Sequence, residues 1–182
     1  YYKKASDLDD EKAKKLLKDF CGNNYVIDEI IKKGNYFVLT QNFEKAVEMY
    51  DKVLENGDSK QQYYYQTLFQ KAKTLAKKNK HQDAILNYSA VLKIIPIQNK
   101  KEIANAFYHR ALSFISIERY ENALIDFNQA FAFGLDNGFM YAERANLKLK
   151  LNQKEDACKD WKEAEKNGWK EAEKNIKLHC QK

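Results

Sequence analysis

DACKDWKEAEKNGWKEAEKNIKLHC, residues 156–180, carries a packing pattern that runs through the whole chain. Ala157, Trp161 and Ala164 fall at i, i+4 and i+7, so two small side chains and one large ring share a single helical stripe. The stripe recurs upstream as Ala46-Tyr50-Val53, Ala84-Tyr88-Val91 and Ala123-Phe127-Ala130. A small-large-small motif returning at this interval marks a repeated helical unit. Such an array grows by stacking units on one another and needs no single central core.

Composition agrees with an all-α chain. Among 182 residues there is one proline and there are six glycines, too few for the turns of an all-β fold, while Lys, Glu, Ala and Leu are plentiful. The net charge of +6 invites a nucleic-acid reading, but acidic residues are interleaved with the lysines, as on a solvated helix surface, which argues against it. One run departs from that pattern. Lys71, Lys73, Lys77, Lys78 and Lys80 are free of intervening acids and read either as a solvent face, the weightier reading, or as an anion-binding patch. No run of about 18 apolar residues is present, so no transmembrane segment is expected.

Set beneath residues 160–180, residues 1–21 align Lys3 with Lys162, Ala5 with Ala164, Ala13 with Ala172 and Cys21 with Cys180. Residues 1–21 are therefore expected to be the closing half-unit of an upstream repeat block, with a partner for Cys21 lying further upstream. Four helical hairpins are predicted over residues 25–57, 60–96, 100–134 and 138–168, followed by a capping helix over 169–182. The intervals from Ala46 to Ala84 and from Ala84 to Ala123 exceed that from Ala123 to Ala157 by four and five residues. The middle connections should carry an extra turn, with longer helices.

KKGNYFVLTQNFEKAVEMYDKVL, residues 32–54, resembles the tetratricopeptide repeat, a pair of antiparallel helices of about 34 residues. Gly34 stands at the small position of the first helix, Phe37 at its aromatic, Phe43 at the turn aromatic, and Ala46, Tyr50 and Val53 on the second-helix stripe. Ala72, Ala111 and Ala145 take the small position in later units, and Pro96 matches a closing proline that the other units lack. The ending ACKDWKEA, with a further helix and a cysteine, is similar to terminal units of bacterial repeat proteins of the Bacteroidetes type. The resemblance implies a right-handed α-solenoid that serves as a scaffold or adaptor. It would hold a peptide or partner helix in a concave groove, with no cofactor and no catalytic role.

The resemblance also assigns the groove. Its lining would comprise Ile31, Asn35, Val38, Phe69, Gln70, Lys73, Tyr108, His109, Leu112, Phe139, Glu143 and Asn146. Phe69, Tyr108 and Phe139 are aromatic anchors of the kind that dominate interface energetics, or else pack on the neighbouring helix. One subfamily grips the terminal carboxylate of chaperone tails. Here Ile31, Gln70, Asn105 and His109 replace most of its charged and amide donors, so that ligand is rejected.

No HExxH, CxxC, phosphate loop or nucleophile elbow is present, and His81, His109 and His179 are scattered along the chain. Adjacent helical residues point about 100° apart, which argues against a metal held by Cys158, His179 and Cys180. Two other readings stay open: a regulatory module of a larger enzyme, and an anion- or nucleic-acid-binding helical repeat.

Cys158 and Cys180 flank Gly168 at ten and twelve residues, so a hairpin turning there would bring them level. They are either a disulfide stapling the terminal helix or two free thiols acting as small hydrophobes, and the sequence alone tips slightly toward thiols. A disulfide implies a periplasmic or exported location; free thiols imply a cytoplasmic one.

Overall fold

The computed structural model describes residues 26–180. The half-unit expected over 1–21, including Cys21, lies outside the described residues, as do 181–182. Nine helices make up the described chain, with no strand among those residues. They are α1 (26–39), α2 (Phe43–Asn56), α3 (Gln62–Lys77), α4 (His81–Ile94), α5 (Lys100–Ser116), α6 (Tyr120–Ala132), α7 (Gly138–Lys150), α8 (Lys154–Lys166) and α9 (Ala172–His179). Each helix packs chiefly on its neighbours in the chain, so the molecule is a stack of hairpins.

The stripes form the core. Ala46, Tyr50, Val53, Ala84, Tyr88, Val91, Ala123, Phe127, Ala130, Ala157, Trp161 and Ala164 are all buried. The small residue of each first helix lets the ring of its own second helix approach. Gly34 shows why: a Cβ there would stand 2.7 Å from the Tyr50 ring. The later units have Ala72, Ala111 and Ala145 at this position, all fully buried.

Within every hairpin the turn is the same. Gln41, Asn79, Glu118 and Asn152 adopt φ of 58 to 60°, each two residues before the next helix. A single left-handed residue reverses the chain, and asparagine tolerates that conformation better than glutamine or glutamate.

The expected extra turn has a different address. The connections between hairpins are equal in length, Gly57–Gln61, Ile95–Asn99 and Phe133–Asn137. The added residues extend the first helices instead: α3 has 16 residues and α5 has 17, against 13 in α7. Those extensions carry Tyr65 and Ile103, which pack with Leu68, Val91 and Ile95. Asn99 Nδ2 donates to the Tyr65 hydroxyl at 2.6 Å and ties the extension to the next connection.

A second, polar device links the units. Arg110 donates from Nε and Nη2 to the two carboxylate oxygens of buried Asp126, both at 2.7 Å, and from Nη1 to Ser89 Oγ of the preceding hairpin at 2.8 Å. Arg144 repeats this with Asp160 at 2.7 Å and Asn128 at 3.1 Å, and Lys148 adds a bond to Asp160 at 2.8 Å. Lys71 pairs with Asp51. Lys71, Arg110 and Arg144 each immediately precede the small residue of their helix, and each of Asp51, Ser89 and Asn128 immediately follows the stripe aromatic of the unit before. A planar guanidinium can satisfy its own carboxylate and still reach across the interface, which an ammonium does less completely.

The chain ends on a short closing segment. Trp169 to Glu171 form a turn, and α9 begins at Ala172, three residues later than expected. Cys158 and Cys180 are joined by a disulfide, with Sγ atoms 2.09 Å apart and Cα atoms 5.7 Å apart. His179 stacks on Trp161 with centroids 5.3 Å apart.

Candidate functional site

The first helices of successive hairpins share one side of the stack, and two cavities open along it. The first, of about 330 Å³, is lined by Ile31 and Asn35 of α1, by Tyr65, Gln66, Phe69 and Gln70 of α3, and by Glu102 and Asn105 of α5, with Val91 and Ile95 at its base. Its rim is rich in amides. Asn35 accepts a hydrogen bond from the Tyr50 hydroxyl at 2.7 Å, which orients the side chain and leaves its amide donors free to act. Burial pushes the Tyr50 phenol up to about 12, so it stays a neutral donor.

The second cavity, of about 240 Å³, is lined by Lys73, Ala76 and Lys77 of α3, His81 and Tyr88 of α4, and His109, Leu112, Ser113 and Ser116 of α5. Phe69 and His109 separate the two: their rings meet edge-on with centroids 5.5 Å apart, and Tyr88 stacks on His109 at 6.1 Å. Lys73 lies over the Phe69 ring at 5.7 Å.

Of the residues assigned to the groove, Asn35, Phe69 and Gln70 therefore come together in the first cavity and Lys73 and His109 in the second. Tyr108, Phe139 and Asn146 line neither. Tyr108 packs edge-on against Phe127 at 6.0 Å, Phe139 against Trp169 at 5.2 Å, and Asn146 accepts from Trp161 Nε1 at 3.3 Å.

Although His81 and His109 stand far apart in the sequence, α4 and α5 bring both to one cavity. Lys77 belongs to the lysine run and not to the residues assigned to the groove, yet its place four residues after Lys73 on α3 puts both on one helical face. Tyr65, Gln66 and Glu102 lie near the starts of the first helices, inside the hairpins expected over 60–96 and 100–134, and no sequence pattern marks them as cavity residues. Among the described residues no three His, Cys, Asp or Glu side chains gather to hold a metal, and no helix is long and apolar enough to cross a membrane.

The electrostatics of this face are mixed. Burial, reinforced by nearby Lys73, holds His109 down at about 4 from an ordinary 6.5, so the ring is neutral at pH 7. Burial pushes the Glu143 carboxyl above its usual range, and that carboxyl faces Tyr108 closely enough to raise the phenol further.

The linkage has a definite sign. Below pH 6.5 the unfolded His109 takes up a proton that the folded one refuses, so its stability contribution is intact above that value and is lost as pH falls toward 4. Glu143, shifted the other way, offsets part of the loss. The melting temperature should fall across this window, and His109→Gln should flatten the slope. Identical pH profiles for the two proteins would contradict the assignment.

The architecture is that of a tetratricopeptide-repeat solenoid. The chain is similar to a tetratricopeptide repeat protein from Parabacteroides merdae, with TM-score 0.67 and 20% identity over 75% of this chain and 51% of that one. It is similar also to YrrB, described as a TPR protein with an unusual peptide-binding site, with TM-score 0.68 and 15% identity over 85% and 74%. The first TPR of Spaghetti (RPAP3), bound to the HSP90 peptide SRMEEVD, matches with TM-score 0.58 and 20% identity over 69% of this chain and 97% of that one. No protein-family model matches the sequence, and no curated protein matches it.

Proposed function

We propose that the chain is a protein-interaction scaffold or adaptor that binds an extended segment or helix of a partner along the face formed by α1, α3 and α5. The observation that carries this reading is the pair of adjoining cavities on that one face, divided by Phe69 and His109. An aromatic ridge between two largely apolar hollows, each carrying a few polar side chains, suits a chain laid across it, with apolar contact at the centre and hydrogen bonds on either side. Peptide binding by proteins of the same fold, YrrB and the RPAP3 repeat, lends support. The amide-rich first cavity can engage the polar backbone of such a segment, while the absence of Lys or Arg at Ile31, Asn105 and His109 disfavours a terminal carboxylate as its anchor.

The experiment is a selection of displayed random peptides against the purified protein, followed by binding of the selected peptides to Phe69→Ala. Loss of affinity on the order of tenfold or more is expected for truncating a central anchor. Selection of nothing, or unchanged binding to Phe69→Ala, would overturn the reading.

The terminal cysteines bear on where the protein works. We propose that Cys158 and Cys180 are oxidised in the native protein and that it resides in an oxidising compartment. Under denaturing, non-reducing conditions only one of the three cysteines, Cys21, should then react with a thiol reagent. Three reactive thiols would refute the pairing.

A further inference from the structure

The second cavity holds positive charge that packing does not neutralise. Of the five lysines between Lys71 and Lys80, Lys71 pairs with Asp51 and Lys78 with Glu44, both on α2. Lys73 and Lys77 line the cavity, and neither forms a salt bridge with a described residue. No acidic side chain lines this cavity, and His81 Nδ1 is buried with no hydrogen-bond partner. The hydroxyls of Ser113 and Ser116 are committed as donors to the carbonyls of His109 and Leu112, at 3.2 and 3.0 Å. The remaining wall is Ala76, Tyr88 and Leu112. Two unpaired ammonium groups and two imidazoles over an apolar floor favour a compact anion carried on an apolar stem, for which charge-assisted hydrogen bonds are the strong ones.

Resting on the groove reading above, we propose that this cavity receives the side-chain carboxylate of an aspartate or glutamate in the partner segment. The site lies beyond Phe69 from Ile31, Asn35, Gln70 and Asn105, which line the other cavity; of the positions compared with the chaperone-tail grip only His109 reaches it. Lys73 and Lys77 supply the charge, and Phe69 beneath Lys73 keeps the ammonium over the ridge where the segment crosses. A nucleic-acid strand suits the face less well. A run of phosphates crossing this face would meet Glu102 in the first cavity and Glu143 beside Tyr108. A protein segment needs only one acid in register.

The test uses displayed random peptides flanked at both ends, so that no free terminal carboxylate is offered, and the full chain as target. Selected peptides should be enriched in Asp or Glu at one position. In a synthetic, end-blocked copy, changing that residue to Asn or Gln should weaken binding about tenfold. The protein variant Lys73→Met/Lys77→Met should lose a similar factor, and combining the two changes should cost little more than either alone. Both lysines are at least partly exposed, and an unchanged melting temperature would show that the variant folds.

Peptides with no acidic enrichment, or acidic peptides indifferent to the lysine variant, would overturn the carboxylate site while leaving the groove reading in place. Failure to select any peptide would overturn both. A single-stranded oligonucleotide that binds more tightly than every selected peptide and depends on the same lysines would overturn the proposal in favour of nucleic acid.

Discussion

Replacing Trp161 by alanine should cost about 3–5 kcal/mol, the range for emptying a large aromatic site in a packed core. Trp161 is 1% exposed and stands among Ala142, Ala145, Ala157, Ala164 and Ala172. These neighbours are too small to collapse into the space, so the cavity would persist. The ring also donates to Asn146 and supports His179, and through it the closing helix α9. In a stack of hairpins the damage should be local first, with amide protection lost in α7, α8 and α9 before α3 and α4. Urea denaturation with site-resolved hydrogen exchange would check both parts, and a loss below about 1 kcal/mol would show that the stripe is not the core of this unit.

The second large effect concerns Arg110. Arg110→Ala should cost about 3–5 kcal/mol, because Asp126 is buried and has no other salt-bridge partner among the described residues. Most of that is the penalty of a stranded charge rather than the worth of the pair. Arg110→Met/Asp126→Leu should therefore recover most of the stability. Arg144→Ala should cost clearly less than Arg110→Ala, since Lys148 still serves Asp160. Denaturation midpoints of the three variants settle the order, and equal losses for Arg110→Ala and Arg144→Ala would contradict the role given to Lys148.

The contrast between these two residues shows what the sequence makes legible. The stripe around Trp161 can be read because burial imposes a period, and four copies of a small-large-small spacing leave little other than a repeated helical packing. The latch around Arg110 cannot be read in that way. A charged residue on a helix ordinarily faces water, and the acid it meets is 16 positions away on another helix. Only after the units are superposed does the recurrence of Lys71, Arg110 and Arg144 before the small residue stand out.

The same holds for the binding face. Asn35, Phe69, Gln70, Lys73 and His109 follow from the position of each first helix, whereas the meeting of His81 with His109 depends on how α4 lies against α5. Phe139 illustrates the limit from the other side. Its helical position points to the groove, but the closing turn brings Trp169 against it. The altered intervals between repeats were visible as numbers, but their placement in the first turns of α3 and α5 depends on tertiary contacts of Tyr65 and Ile103.

The proposed function requires that the α1, α3 and α5 side of the stack meets the partner. Titrating a selected peptide into isotope-labelled protein and reading the backbone amide shifts addresses this directly. The largest changes should fall on α3 and α5, at Phe69, Gln70, Lys73, Tyr108 and His109. Changes confined to the surroundings of the exposed Leu86, Ile94 and Ile125 on α4 and α6 would contradict it.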